Sequence, residues 1–259
     1  NAAAGCMRVD HIERQDMASP TRILFLGLDA ANKFLLQTWA ADGTLPAFRS
    51  LLTRGLVGDV MSVEGFYEGA TWPSFYTGVN PARHGFHSLV QILPGTYEFH
   101  HVRPDDFIKP APFWRHLSQA GRKVAILDVP LAGLSQELTG IQTVEWGSHD
   151  SVYGFCARPP YLKDEILRQF GKHPLKKSCY VFGGSTKKIL KLTDLLVQGA
   201  RKKAALANDV LNQGGWDFFA QVFSESHCVG HQSWHLHDCR PGRNANSAAA
   251  AADPVRDVY

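Results

Sequence analysis

Three short apolar runs, each as long as a buried β-strand, limit the folds open to this chain. They are residues 22–28 (RILFLGL), 124–130 (VAILDVP) and 216–223 (WDFFAQVF). Strands of parallel sheets are buried on both faces, so their apolar residues run continuously instead of alternating. Because helical patterns separate the three runs, the sequence predicts an α/β fold: a mainly parallel sheet with helices on both faces.

Helical periodicity fills much of the chain between these runs. Residues 31–40 and 44–54 are predicted as two helices, and residues 111–121 as a third. The longest predicted helix, 185–212, begins at Ser185 as its N-cap and has one apolar face. That face comprises Leu192, Leu195, Leu196, Gly199, Leu206 and Val210.

Composition and charge exclude several classes of protein. The net charge is +3, and no basic run is interleaved with aromatic residues, so we expect no duplex nucleic acid partner. No apolar stretch reaches the roughly eighteen residues of a membrane helix. The N-terminus lacks the pattern of a signal peptide, so the default compartment is the cytoplasm. The expected partner is a small molecule.

The five cysteines are odd in number and lack C-x-x-C spacing. This pattern disfavours both a disulfide framework and a thiolate zinc site. We expect no disulfides among the four cysteines beyond the leader: Cys156, Cys179, Cys228 and Cys239.

The two ends differ in pattern from the rest of the chain. Residues 1–16 show no helical or strand period and are predicted to be a disordered or non-native leader. An α/β domain is then expected over residues 17–259. The last residues, DPVRDVY, resemble the first turn of a helix without a stop signal, so a domain truncated at its C-terminus is expected.

Polar side chains follow two of the predicted strands, at the edge where parallel sheets bind ligands. Asp29 directly follows the first strand, and the segment 224–231 (SESHCVGH) follows the third. Asp29 is either the N-cap of a helix that begins near Ala30 or an oxygen ligand for a divalent cation. We expect Asp29 to lie close to Thr71 and His231 at this edge.

Thr71 opens the segment TWPSFYTGVNPARHGFH. Pro73 suits the first turn of a helix, which predicts that Thr71 lies at or just before a helix N-terminus. Backbone N–H groups there favour an anion such as phosphate. The Thr71 hydroxyl is therefore either a helix cap or a nucleophile that a metal ion would activate.

Histidines are concentrated in the segment SESHCVGHQSWHLHD. His227, His231 and His235 are four residues apart, which would place them on one helical face. Histidines at this spacing can bind one metal ion. The alternative is a set of surface or capping histidines. Metal binding by at least His231 is the prediction.

The order of these motifs resembles the alkaline phosphatase superfamily, and most closely the type I phosphodiesterase/nucleotide pyrophosphatase family. LGLDAA resembles the family's first metal-ligand segment, and TWPSFYTGVNPARHGFH its nucleophile segment. FWRHLSQAGRKVAILDVP and VEWGSHD are also similar to family segments. The resemblance, from about Thr21 to Asp238, implies hydrolysis of phosphoric esters with two divalent metal ions, Zn²⁺ or alternatively Mn²⁺.

The resemblance also implies roles for individual residues. Asp29 and Thr71 would bind one ion, with Thr71 as the nucleophile and Ser74 as a reserve candidate. His231 matches a histidine ligand of the other ion. The family's Asp four residues earlier is His227 here, which leaves open whether His227 or Glu225 takes that place.

One family segment has no counterpart in this sequence. The Asp-His pair that completes both metal sites in the family is missing downstream, and this chain's Asp10-His11 lies upstream of every other motif. Half of a two-metal site and impaired activity are therefore expected. The alternatives are a non-catalytic α/β module that binds an anion or nucleotide, and a sulfatase or phosphomutase-like enzyme. Thr71 disfavours a sulfatase, which needs Cys or Ser there.

Overall fold

The computed structural model describes residues 21–62, 64–66, 69–175, 185–237 and 253–259. Within them, five strands form one sheet in the order β1-β7-β4-β5-β6, and β2 and β3 form an antiparallel pair. Pairings within the larger sheet are parallel except that between β5 and β6. The strands are β1 (Ile23–Leu28), β2 (Val90–Ile92), β3 (Phe99–His101), β4 (Val124–Leu127), β5 (Gly140–Val144), β6 (Cys156–Arg158) and β7 (Phe218–Phe223).

The three predicted strands are confirmed as β1, β4 and β7. Ten helices are present in the described residues, and the four predicted from periodicity correspond to α1, α2, α6 and α8. The helices are α1 (Lys33–Ala41), α2 (Pro46–Arg54), α3 (Thr71–Thr77), α4 (Pro81–His84), α5 (Pro104–Phe107), α6 (Phe113–Gln119), α7 (Tyr161–Gln169), α8 (Thr186–Gln213), α9 (Glu225–His237) and α10 (Pro254–Val258).

The predicted helix caps are correct in one case and wrong in another. Ser185 is the N-cap residue of α8, although its side chain makes no capping hydrogen bond. Asp29 does not cap α1: the helix begins at Lys33, where the Asn32 side chain accepts a hydrogen bond from the Leu35 amide. The short polar side chain of Asn32 satisfies an amide that the helix itself leaves unpaired. Asp29 is therefore available for other contacts.

Helices cover both faces of the sheet, as predicted. Alternate residues of a strand point to opposite faces, so adjacent residues of β4 belong to different clusters. Val124 and Ile126 pack with Trp114 of α6 on one face. Leu127 packs with Leu206 of α8 on the other. The sheet is thus the central layer of the fold.

The predicted apolar face of α8 is correct but incomplete. Leu195 is half-buried, whereas the other five predicted residues are buried. Lys203 lies on the same face and is fully buried, which the periodicity did not predict. Gly199 faces a neighbouring histidine: a Cβ atom there would lie 2.8 Å from Cε1 of His173 and 3.0 Å from Oε1 of Glu225.

The carboxyl ends of β1 and β7 leave the sheet side by side. Leu28 of β1 is in register with Phe223 of β7, and the Asp29 amide donates to the Phe223 carbonyl at 2.9 Å. The next residue, Ala30, has a left-handed backbone with φ 51°. Such strain in a non-glycine residue is common where a fold positions functional groups.

Two expectations concern other parts of the chain. The predicted leader, residues 1–16, lies outside the described residues. So do Cys179 and Cys239, whereas Cys156 and Cys228 are present as thiols, consistent with the predicted lack of disulfides. Among the described residues, every helix is too short or too polar to cross a membrane.

Candidate functional site

Asp29 contacts residues from both segments that the sequence singled out. Its Oδ1 accepts a hydrogen bond from Nε1 of Trp72 at 2.8 Å. Its Oδ2 lies 2.8 Å from Nδ1 of His227. Burial alone would raise the pKa of Asp29, but the hydrogen bond and charge of His227, with the Trp72 hydrogen bond, hold that pKa below its ordinary value. Asp29 is therefore an ionised carboxylate that joins α3 to α9.

The sequence of β1 makes room for the Trp72 side chain. A Cβ atom at Gly27 would lie 3.0 Å from Cη2 of Trp72, which is tighter than ordinary carbon–carbon contact. The absence of a side chain at Gly27 therefore lets the indole lie against the strand. In this position its N–H reaches the carboxylate two residues further along, at Asp29.

Thr71 is the first residue of α3, as predicted. It is exposed and lines a cavity of about 500 Å³ together with Asp29, His149, His227 and His231. A tight turn precedes it: Gly69 has φ 64°, and a Cβ atom there would lie 3.1 Å from Cα of Ser88. The predicted grouping of Asp29, Thr71 and His231 around one space is therefore present in this structure.

Ser74, one turn further along α3, has a different environment. Its Oγ lies 3.0 Å from Nε2 of His84, whose Nδ1 accepts a hydrogen bond from the Phe86 amide at 3.1 Å. Since Nδ1 is the acceptor, Nε2 carries the proton and donates to Ser74. Burial also lowers the pKa of His84. His84 is thus a neutral donor and not a base for the Ser74 hydroxyl.

Three histidines cluster beside Asp29. Each of His149, His227 and His231 offers a ring nitrogen, and these atoms all lie within 4.8 Å of one another. The ring centroids of His149 and His227 are 3.8 Å apart, and those of His227 and His231 4.6 Å apart. His227 and His231 share a face of α9, as the four-residue spacing predicted.

His149 was missed as a site residue by sequence reasoning. It lies in the segment VEWGSHD, which follows β5, a strand that was not predicted because Gln142 and Thr143 interrupt its apolar residues. A carboxylate organises the following loop: Glu145 accepts hydrogen bonds from the Val152 and Tyr153 amides at 2.7 and 2.8 Å. A polar segment after a strand of a parallel sheet was the signal that could have indicated His149.

Glu225 lies elsewhere, although the family resemblance left it as an alternative to His227. Its Oε1 lies 2.9 Å from Nε2 of His173, and its Oε2 lies 3.6 Å from Nζ of Lys203. Burial alone would raise the pKa of Glu225, but the positive charge of Lys203 and the contact with His173 lower it. Glu225 therefore belongs to a buried ionic network behind the cavity.

The remaining histidines of α9 lie outside the three-histidine cluster. His235 is exposed and is not part of the group that could hold a metal ion. Nδ1 of His237 lies 2.9 Å from Oδ2 of Asp253. The helical face predicted from spacing thus contributes two histidines to the cavity and not three.

The donor set of the cluster fits a divalent metal ion. Nε2 of His227 is buried and has no hydrogen-bond partner among the residues that the structure describes. A buried polar atom without a partner is costly, so such an atom at a functional site calls for a ligand. Imidazole and carboxylate groups are ligands that suit Zn²⁺ and related ions.

The family of the chain follows from its match to a family model. The model of the type I phosphodiesterase / nucleotide pyrophosphatase family matches residues 23–253, which include every residue of the candidate site. The chain belongs to this family. Members of the type I phosphodiesterase family generally depend on divalent metal ions. No curated protein matches the chain significantly.

Two similar solved structures are of phosphonoacetate hydrolase from Sinorhizobium meliloti 1021. The complex with phosphonoformate has a TM-score of 0.54 and covers 78% of this chain and 46% of the other. The complex with phosphonoacetate has a TM-score of 0.56 and covers 92% and 52%. Both are 17% identical to this chain, so this similarity shows the fold alone. The chain spans about half the length of these relatives.

Proposed function

We propose that this protein hydrolyses phosphoric esters with Thr71 as the nucleophile and divalent metal ions as cofactors. One observation carries the proposal: Thr71 lines the same cavity as Asp29, His149, His227 and His231. A hydroxyl that only capped α3 would not need an ionised carboxylate and three imidazoles around the same space. The family match supports this reaction class.

In the proposed reaction, the Thr71 oxygen forms a bond to phosphorus while the bond from phosphorus to the leaving oxygen breaks. The hydroxyl proton leaves through the cavity, and the leaving oxygen takes up a proton. Water then attacks the phosphorus of the covalent ester, which restores the Thr71 hydroxyl and releases the phosphate product. Because Thr71 is exposed, both substrate and water can reach it.

Two divalent ions are proposed as the cofactors, Zn²⁺ with Mn²⁺ as the alternative. Asp29 and Thr71 would contribute to one ion, and His227 and His231 to the other. Bound ions of this kind favour deprotonation of a hydroxyl nucleophile and offset charge on a leaving oxygen. His227 is chosen over Glu225 because Glu225 is paired with Lys203 and His173 behind the cavity.

The proposed substrate is a small phosphate ester: a phosphodiester, a pyrophosphate or a phosphomonoester. The family name supports the first two classes. The phosphonoacetate hydrolase structures contain phosphonoacetate or phosphonoformate, so a phosphonate belongs in any substrate panel. The open cavity of about 500 Å³ has the size of a small-molecule site.

Residues of the same site argue against the two alternative functions, a non-catalytic anion-binding module and a sulfatase. A non-catalytic anion-binding module would need no metal ion, and it has no use for a buried Nε2 of His227 that lacks a hydrogen-bond partner in the described part of the chain. A sulfatase would need Cys or Ser at the nucleophile position, where this chain has Thr71.

The test is the hydrolysis of bis(4-nitrophenyl) phosphate by the full 259-residue chain, loaded with Zn²⁺ or Mn²⁺. The Thr71→Ala variant should lose turnover, whereas Ser74→Ala should retain most of it. A Thr71→Ala variant as active as the unmodified protein, with Ser74→Ala inactive, would move the nucleophile to Ser74. Metal-dependent turnover that survives both substitutions would contradict covalent catalysis by α3.

A further inference from the structure

We infer that His149, His227 and His231 together hold one divalent metal ion, and that Asp29 orients His227 for this purpose. His149 is the new member of the site, since neither the spacing in α9 nor the family resemblance assigned it a role. The inference extends the proposed function, on which it rests for its catalytic meaning. Its test is metal binding, which does not require turnover.

The two nitrogens of His227 have different environments, and this difference defines its role. Nδ1 lies 2.8 Å from the Asp29 carboxylate, which fixes the proton on Nδ1 because an ionised carboxylate only accepts. In the neutral form of the ring, Nε2 then carries the lone pair, and this atom is buried without a hydrogen-bond partner among the described residues. Metal-binding histidines have this arrangement: one nitrogen donates to a carboxylate and the other binds the ion.

Further hydrogen bonds, to the other carboxylate oxygen and to the backbone carbonyl of Asp29, hold Asp29 in position to contact His227. Trp72 donates to Oδ1 at 2.8 Å, and the Ser226 hydroxyl donates to the backbone carbonyl of Asp29 at 2.7 Å. Both carboxylate oxygens thus have a donor, one from α3 and one from α9. A carboxylate fixed in this way sets the orientation of the His227 ring.

The position of His149 is also fixed by neighbouring groups. Its Nδ1 lies 3.3 Å from Sγ of Cys228 on α9, so we assign its other ring nitrogen, Nε2, to the ion. Nε2 is 3.4 Å from Oδ1 of Asp150, so a carboxylate charge lies beside the site. The His149 ring stacks on that of His227, with an angle of 26° between their planes.

The distances between the three ring nitrogens fit one bound ion after a small movement of the side chains. Zinc binds imidazole nitrogen at about 2.0–2.1 Å, so two ligand nitrogens of one ion are at most about 4.2 Å apart. The three nitrogens here lie within 4.8 Å of one another, so an adjustment of roughly 1 Å brings them into range. His231 is exposed, and rotation of its side chain would provide this adjustment.

A metal site with three imidazole ligands and no thiolate has the ligand set of a catalytic zinc site. Structural zinc sites use four protein ligands, whereas catalytic sites keep three and leave a position for water or substrate. The three histidines line the cavity that contains Thr71. An ion held by this chain's own histidines would therefore be open to the substrate.

The test is a titration of the full 259-residue chain with Co²⁺, followed by visible absorption spectroscopy. We expect the first equivalent of Co²⁺ to occupy the three-histidine site, with the intense absorption of a four-coordinate ion. His149→Gln and His231→Gln should each weaken binding by more than the roughly 10–100-fold that loss of an orienting residue costs. His235→Gln is the matched control, one turn further along α9, and should bind like the unmodified chain.

Variants of Asp29 distinguish two roles for this residue: orienting the His227 ring, or binding the ion directly. Asp29→Ala should weaken Co²⁺ binding by about 10–100-fold and keep the four-coordinate spectrum. Asp29→Asn should bind more tightly than Asp29→Ala, because its amide oxygen can still accept from Nδ1 of His227. An Asp29→Ala variant that binds but has lost the four-coordinate spectrum would show that Asp29 is itself a ligand of the three-histidine ion, and would overturn the assignment.

Because His149 is buried, its variant is checked for folding by circular dichroism. A second measurement needs no substitution: X-ray absorption spectroscopy of the chain loaded with one equivalent of Zn²⁺ counts the imidazole ligands of the most tightly held ion. Three imidazoles support the inference, and two or fewer overturn it. Three-histidine binding without turnover would support this site and contradict the proposed hydrolysis, whereas turnover with two-histidine binding would do the reverse.

Discussion

Nδ1 of His227 lies 2.8 Å from Oδ2 of Asp29, although 198 positions separate the two residues. The parallel pairing of β1 and β7, with Leu28 in register with Phe223, causes this approach. Asp29 directly follows β1, and α9 begins two residues after β7 ends. The candidate site therefore depends on the register of two neighbouring strands.

Trp72→Phe should weaken the candidate site without disturbing the packing of α3 against β1. Phenylalanine keeps an aromatic ring beside Gly27 but has no N–H to donate to Asp29. We expect metal affinity to fall by about 10-fold, at the lower end of the range for residues that orient a metal ligand. Isothermal titration with Zn²⁺ measures this change. The control is Trp234→Phe on α9, which should leave affinity unchanged, and equal affinities in both variants would contradict the role of Trp72.

The His84 imidazole should titrate below its ordinary pKa of 6.5, because burial disfavours its charged form. The unfolded chain then binds more protons than the folded protein between the two pKa values. The contribution of His84 to stability is therefore fully present above pH 6.5 and is lost as the pH falls through the lowered folded value. NMR titration of the ring protons measures the folded pKa directly. A value above 6.5 would contradict a neutral His84 that donates to Ser74.

Lys203→Met should destabilise the fold by about 3–5 kcal/mol, the usual cost of removing one partner from a buried ion pair. Lys203 is fully buried, and its Nζ lies 3.6 Å from Oε2 of Glu225 and 3.8 Å from Oδ2 of Asp128. Without this cation, both buried carboxylates would lose the lysine charge beside them. Urea unfolding measures the change. Lys202→Met is the control: Lys202 is only half-buried, and its Nζ donates to the backbone carbonyls of Phe170 and Lys172. A similar loss of stability there would contradict the prediction.

The strands, the main helices and part of the site were predictable, because each produces a local signal. Long apolar runs predicted β1, β4 and β7, and the four-residue spacing of His227 and His231 predicted their common helical face. His149 gave no such signal, since its role depends on where β5 places the next loop in space. The pairing of Glu225 with Lys203 and His173 could not be predicted from the sequence either. Contacts between distant segments are not encoded in any local period.

Gly199→Ala should destabilise the protein by about 1–3 kcal/mol, which is typical of overpacking in a core. A Cβ atom there would overlap the His173 ring and lie 3.0 Å from Oε1 of Glu225. Gly230→Ala on α9 is the matched control, because a Cβ atom at Gly230 has no neighbour within 4 Å. The control should stabilise its helix by about 0.5–1 kcal/mol. Thermal unfolding compares the two, and equal melting temperatures would contradict the tight packing of His173.

The nucleophilic role of Thr71 is tested most directly by trapping the covalent intermediate. The metal-loaded chain is mixed with bis(4-nitrophenyl) phosphate, quenched in acid during turnover, and digested for peptide mapping by mass spectrometry. We expect a 4-nitrophenyl phosphoryl group on Thr71, because its oxygen displaces one 4-nitrophenolate and water releases the second product. The group should be absent from the Thr71→Ala variant. Steady turnover with no covalent adduct at any residue, or with the adduct on Ser74, would contradict the nucleophilic role of Thr71.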